Sequence, residues 1–441
     1  MPITTFKGYV YVGAPVLLLL LLGGSMTVWQ YDAPQVQAGG EAGAAPLKTP
    51  QGAQAPQPKF DLPVSGKAGP GLEPIDKAMK TILQRHGIPG GALAIAKDGR
   101  LVLAKGYGWS NLETGETVTP LTLFGLASLS KPITALAILL LMEQGKLGLD
   151  EPAFAYIKHI QPRRGARVDP RLAKITVRQL LNHSGGWNRA VSGDPIGWTP
   201  QMSKVLGATP PLAPEHFISF MMGEPLDFEP GSQSQYSNVG YIILGQIVEK
   251  VSGQSYEEFA KKHVLDAVGA KRSGMNYMTK YLEGESRRYL AGSGTMLPPL
   301  QLPMVRAAAG WSASPVDMVR LLTALDGSRG KPLLQEKSLK ELLAVPPPPL
   351  KAHKDGSHPG LGFEAVLSGP DGFAYFQDGN WHGIRAFLKR TPKGVNWVMT
   401  FNASMQPDQI DIKMAQAALQ EIREAVEGTG EFPMLDLFKE Y

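Results

Sequence analysis

The sequence predicts an α+β fold: an antiparallel sheet flanked by helices, built from both chain ends, and joined to an all-helical subdomain. Three observations predict it, namely a hairpin signal early in the chain, a long helix-rich middle and a meander of short strands near the end. In order, residues 74–85 put Ile75, Met79, Ile82 and Leu83 on one helical face. The apolar runs 91–96 and 101–107 flank Lys97-Asp98-Gly99-Arg100, a turn signal. Residues 126–144 read as an apolar helix, and Pro132 marks its first turn, where a missing N–H is tolerated. Residues 176–181, 239–251 and 255–265 are helices of the middle segment, which reaches from about Leu149 to Leu322. After Pro346-Pro347-Pro348-Pro349 come strands at 362–367, 372–377, 383–389 and 395–402, and then a closing helix at 408–426.

Composition narrows the function. The 441 residues are 43% hydrophobic and 19% charged, enough for a sizeable core. The net charge of +5 comes from scattered Lys and Arg, so no nucleic-acid partner is expected. With no cysteine, disulfides, thiol nucleophiles, thiolate metal sites and a lipidated cysteine are all excluded. The eight His are dispersed and no His-Glu-x-x-His occurs, so no metal is expected. Neither a Walker loop nor Gly-x-Gly-x-x-Gly is present, and no cofactor is expected.

Between Lys7 and Asp32 the chain carries no charge, and residues 8–28 supply the apolar length that spans a bilayer, with aromatic residues near both ends. Residues 1–31 are therefore expected to be a membrane anchor, or alternatively a cleaved signal sequence. Either sends the remainder outside the cytoplasm. Residues 32–72, rich in Ala, Gly, Gln and Pro, are expected to be a disordered linker. The folded domain is expected over 73–427, with 428–441 as a tail.

Three polar elements carry chemistry. Ser128 and Lys131 lie one turn apart at the start of the apolar helix. A serine hydroxyl needs a base, and burial beside a helix N-terminus favours a neutral lysine that can serve as one. The spacing is not specific: Ser328 and Lys331 share it in a polar loop where no chemistry is expected. Tyr236-Ser237-Asn238 precedes the helix at 239. Of thirteen tyrosines only Tyr236 is followed two residues later by Asn, although the segment also reads as an ordinary helix cap. Gln377-Asp378-Gly379-Asn380 stands at a strand end, where a backbone N–H can serve an oxyanion hole and Gly379 permits close approach to the backbone. No Gly-x-Ser-x-Gly elbow occurs, which argues against an α/β-hydrolase.

Together these elements resemble the serine β-lactamase and penicillin-binding-protein superfamily, and most closely its class C β-lactamase-related esterases, D-peptidases and carboxypeptidases. The likeness extends over residues 73–426, through Ile175-Thr176-Val177-Arg178-Gln179-Leu180-Leu181-Asn182-His183-Ser184-Gly185-Gly186, Tyr236-Ser237-Asn238-Val239-Gly240-Tyr241 and Ala309-Gly310-Trp311-Ser312-Ala313-Ser314. It implies a β-lactamase/transpeptidase-like fold with the site between sheet and helical subdomain. It also implies Ser128 as nucleophile, Lys131 and Tyr236 as proton-transfer partners, and the N–H groups of Ser128 and Asn380 as oxyanion hole. Asn238 would orient Lys131 or the substrate. Gln377 stands where the family usually carries Lys or His, which argues against a β-lactam or D-Ala-D-Ala substrate and for a neutral ester or amide. Arg385 is a candidate replacement for the missing cation; Gln377, Gly379 and Trp187 are expected at the substrate, with Trp311 beside the cleft. His183 and His382 are expected in structural or rim roles. The leading expectation is an acyl-serine esterase or peptidase acting on a small ester, amide or peptide. The alternatives are a β-lactamase or penicillin-binding carboxypeptidase, and a degraded cell-wall binding module.

Overall fold

The computed structural model describes residues 62–441 apart from 277–279, 300, 302, 371 and 405–408. The expected anchor and the linker up to residue 61 lie outside the described residues. Strands β1 (Val64–Ala68), β2 (Gly90–Lys97), β3 (Arg100–Asn111), β4 (Ala365–Gly369), β5 (Gly372–Trp381), β6 (Ile384–Arg390) and β7 (Val395–Phe401) form one antiparallel sheet. Their order is β1-β3-β2-β7-β6-β5-β4, with the short strand Glu116–Thr117 beside β3. The two chain ends meet where β2 pairs with β7, Gly91 opposite Phe401 and Lys97 opposite Val395. Helices cover both faces there, so every residue of β7 is buried and the strand reads as a continuous run, not an alternating one.

Helix α1 (Glu73–His86) starts with Pro74 in its first turn and ends at Gly87, whose left-handed φ of 59° lets its N–H reach the Leu83 carbonyl. Its expected face, Ile75, Met79, Ile82 and Leu83, packs on Leu93, Leu103, Trp397 and Met399. On the opposite face lies the larger core, containing α2 (Ser130–Glu143), α3 (Val177–Leu181), α5 (Asn238–Ser252) and α6 (Pro315–Leu325); the short helix α4 (Arg189–Ser192) has no buried residue and lies outside it. Helix α7 (Gln409–Glu427) returns to pack beside α1, through Ile422 and Val426. Among the described residues no helix is long and apolar enough to cross a membrane.

Three boundaries differ from expectation. Residues 64–68 are not linker but strand β1, with Val64 opposite Tyr107 and Ala68 opposite Leu103. The free edge of β3 supplies backbone partners that a low-hydrophobicity segment cannot find alone. Residues 428–441 are no loose tail either: Leu437 and Phe438 are buried, while Asp436 accepts from the Leu101 N–H at 3.2 Å and pairs with Arg329 at 2.8 Å. Strand β5 continues beyond Gln377 to Trp381, so Gln377-Asp378-Gly379-Asn380 lies inside a strand, Gln377 opposite Leu388 and Asn380 opposite Arg385. Pairing with β6 overrides the poor strand propensity of Asp, Gly and Asn. Because β4 pairs with β5 only from Phe376 back to Gly372, residues 377–381 have no strand on their other side. That open stretch faces the start of α2.

Candidate active site

The chain enters the site through the short strand Phe124–Gly125, paired with Trp311–Ala313. Ala127 follows with φ of 44°, a left-handed conformation that costs a residue with a side chain on the order of 1 kcal/mol or more. This bend opens a 3₁₀ turn, Ala127–Leu129, before α2 begins, and Ser128 projects from it. Helix α2 is buried on nearly every side, so Lys131, one turn on, is 0% exposed. Strand β5 closes on the same turn. A Cβ at Gly379 would sit 2.3 Å from the Leu126 carbonyl oxygen, which is why glycine stands there.

The structure brings Ser128, Lys131, Tyr236 and Asn238 together. The Tyr236 hydroxyl donates to Ser128 Oγ at 2.5 Å, and Lys131 Nζ donates to the same oxygen at 3.1 Å. Lys131 also donates to Asn238 Oδ1 at 2.8 Å and to the Ala308 carbonyl at 3.1 Å. Asn238 Nδ2 donates in turn to Asp194 Oδ2 at 2.8 Å. Both ends of that amide are thus engaged, and Asn238 orients the lysine.

Burial pushes the Lys131 ammonium down to about 7; the Glu364 and Asp194 carboxylates oppose the shift and Arg189 assists it. The Tyr236 phenol moves the other way. Burial, with Glu364 adding to it, raises it well above its usual value despite two cations on its ring. Lys131 Nζ lies 4.7 Å and the Arg189 guanidinium 4.8 Å from the ring centroid. Tyr236 therefore stays protonated as a donor, and Lys131 is the group poised to change charge near neutral pH. Two donors on one hydroxyl oxygen are what a developing alkoxide requires.

His183 holds Tyr236 in place. Thr176 and Gln179 form a capping box at the start of α3, and the chain leaves that helix through His183 at φ of 61°. Its carbonyl accepts the Gln235 N–H at 2.9 Å, and its Nδ1 accepts the Ser237 N–H at 3.2 Å. The imidazole lies 4.6 Å from the Tyr236 ring. Burial, chiefly, with Lys131 next, lowers it to about 3, so it remains the neutral acceptor this arrangement needs.

The remaining expected residues are placed differently. Gln377 is buried and its amide is spent on Glu364: Nε2 donates to Oε1 at 3.0 Å, and Oε1 accepts the Glu364 N–H at 3.1 Å. It has no free group for substrate. Arg385 pairs with Asp378 at 2.9 Å and lies against Phe387, so it does not replace the missing cation. Gly379 contacts the nucleophile turn. Asn380 follows it with its side chain exposed. Trp187 is buried with its ring against Gly185, and Trp311 is buried with its indole N–H on Tyr256 at 3.0 Å, so both belong to the core. Asp194, Arg189 and Glu364 were missed; a lone acid inside the run Leu361-Gly362-Phe363-Glu364-Ala365-Val366 was the available signal for Glu364. Burial, together with Asp378, pushes Glu364 up to about 8. Among the described residues no group of three or more His, Asp or Glu is arranged to hold a metal ion.

A sheet closed on a helical subdomain, with a serine, a buried lysine and a tyrosine between them, is the arrangement of a serine hydrolase of the β-lactamase fold. Residues 75–420 match the family model described as Beta-lactamase, and the chain belongs to that family, whose members include esterases, amidases and peptidases. It is 29% identical over 210 residues to protein flp of Staphylococcus aureus strain MW2, covering 47% of this chain and 39% of that protein. The chain thus matches about two fifths of that relative's length. Among solved structures it is similar to the octameric penicillin-binding protein homologue from Pyrococcus abyssi, with TM-score 0.62 and 26% identity, covering 79% of this chain and 77% of that one. It also shares the fold of D-amino acid amidase from Ochrobactrum anthropi, with TM-score 0.62 and 20% identity over 81% and 99% of the two chains.

Proposed function

We propose that this protein hydrolyses a small ester, amide or peptide through an acyl-enzyme on Ser128. The observation that carries the proposal is the convergence of Tyr236 at 2.5 Å and Lys131 at 3.1 Å on one serine oxygen. Neutral Lys131 takes the Ser128 proton as Oγ attacks the carbonyl carbon. The resulting oxyanion is held by the N–H groups of Ser128 and Asn380. As the tetrahedral adduct collapses, Tyr236 protonates the leaving oxygen or nitrogen and is reprotonated from Lys131. Water then attacks the acyl carbon, gives a proton to the same pair, and the serine recovers its own. Consumption of the Gln377 amide by Glu364 is the reason for preferring an ester or amide to a β-lactam. The uncharged run before Asp32 supports placing this reaction outside the cytoplasm, on a membrane-attached or secreted protein.

The test is labelling of the purified protein and its Ser128→Ala variant with a fluorophosphonate probe and a fluorescent penicillin, beside turnover of a short-chain p-nitrophenyl ester. Labelling and turnover that vanish together in the variant are expected. Absence of Ser128 labelling by either reagent would refute the proposal and favour a binding module. Penicillin labelling with negligible ester turnover would favour a penicillin-binding carboxypeptidase or β-lactamase.

A further inference from the structure

The third motif lacks its cation, and Arg385, the replacement suggested by sequence, is tied to Asp378. A different arginine stands at the site. Arg189, the first residue of α4, lies with its guanidinium 4.8 Å from the Tyr236 ring centroid. The hydroxyl of that ring is the one bonded to Ser128.

Two features make Arg189 unusual among the charges here. It is half-buried, yet among the described residues no hydrogen bond or ion pair engages its guanidinium. A planar fork of five N–H donors held over a ring but bonded to nothing is available to a bidentate acceptor. Its field also reaches the whole site, acting on Lys131, His183, Tyr236, Glu364 and Asp378. The neighbouring acids do not consume it. Asp378 is paired with Arg385, and Glu364 is clamped by Gln377.

Resting on the acyl-serine reading above, we propose that Arg189 is a specificity-determining residue that binds a carboxylate of the substrate from α4, at a place other than the third motif. The substrate class is then an ester or amide whose acyl or leaving portion bears an anionic group within reach of both Ser128 and α4. Arg189 does not touch the reacting atoms; it selects and orients what they act on.

The experiment compares two p-nitrophenyl esters of matched length, the hemiglutarate and its neutral counterpart the valerate, with the wild-type protein and its R189Q and R189K variants. The ratio of kcat/KM for the anionic over the neutral ester should fall about tenfold in R189Q, mainly through KM, as expected for loss of a partly exposed charge-assisted contact. R189K should keep part of the preference, and in the wild type the ratio should decline with added salt while R189Q shows little decline. A drop of equal size on both esters in R189Q would overturn the inference, because it would mean that Arg189 only supports Tyr236. An unchanged ratio would overturn it as well. So would a wild-type preference for an ammonium-bearing ester of the same length, which would assign recognition to Glu364 instead. If the wild type turns over neither ester and Ser128 takes no probe, the hydrolase proposal falls and this inference with it. Turnover of both esters with an Arg189-independent ratio removes this inference alone.

Discussion

Replacing Lys131 with arginine tests the central electrostatic claim, because arginine keeps the charge and cannot give up its proton near neutrality. The magnitude follows from the burial of the lysine. A fall from 10.5 to about 7 corresponds to roughly 5 kcal/mol between the two protonation states. At pH 7 about half of the Lys131 side chains are neutral and able to act as base. A solvent-exposed lysine would be neutral in only about one molecule in three thousand. The pH profile of kcat/KM for a neutral ester should therefore rise with unit slope and level off, with its midpoint near 7. Asp194→Asn should move that midpoint downward, since Asp194 is among the groups holding the ammonium up. K131R should lose about a thousandfold or more in kcat, with no recovery up to pH 9. The assay is initial-rate hydrolysis of p-nitrophenyl butyrate between pH 5 and 9, with fluorophosphonate labelling alongside. A rate still rising with unit slope at pH 9, or a K131R variant within tenfold of wild type, would refute the assignment of Lys131 as base.

Three further outcomes are expected. Tyr236→Phe removes the 2.5 Å donor to Ser128 while keeping the ring, and should lower kcat by about a hundredfold with a smaller change in KM, measured on the same ester. His183→Ala removes the acceptor of the Ser237 N–H and the ring beside Tyr236; it should lower kcat while fluorophosphonate labelling slows but persists, and His183→Asn should recover part of the rate. Asp436→Ala, far from the site, should cost about 1–3 kcal/mol in urea unfolding by releasing Arg329 and the Leu101 and Phe438 N–H groups.

How much of this was legible in the sequence depended on how local each signal was. Helix α1 announced itself because its apolar face repeats within fourteen residues and ends on Gly87. The meeting of Ser128, Lys131 and Tyr236 was expected because resemblance at several separated blocks supplied what a three-residue spacing cannot. Strand β1 was invisible, since Val64 to Ala68 is held by the edge of β3, forty residues away, and not by its own composition. The same reason extended β5 past Gln377. Side-chain partners were least legible: nothing local tells that Gln377 bonds Glu364 or that Arg385 faces Asp378, because cross-strand register decides both. Arg189 had no motif at all, and only the closure of α4 over Tyr236 reveals it.

The same burial that lowers the Lys131 ammonium must tax the fold, and this gives a stability test independent of substrate. Between pH 7 and 10.5 the unfolded chain carries a proton on this lysine that the folded chain does not, so folding releases one there. Wild-type stability accordingly gains from this group as pH rises through that window, by about 1.4 kcal/mol per pH unit. Below about 7 both states are protonated and the penalty is at its full, constant value. Lys131→Met keeps most of the volume and removes the charge, but strands Asn238 Oδ1 and the Ala308 carbonyl without their donor, at about 1–3 kcal/mol each. Its absolute stability thus combines a gain and a loss of similar size; the pH dependence does not. The stability of K131M relative to wild type should be greatest at pH 6–7 and decline by about 2–3 kcal/mol by pH 9, read from urea unfolding at each pH. A difference that stays flat over this range would mean that Lys131 is neutral to no greater extent in the folded protein than in the unfolded chain, and the base assigned to Ser128 would have to be sought elsewhere.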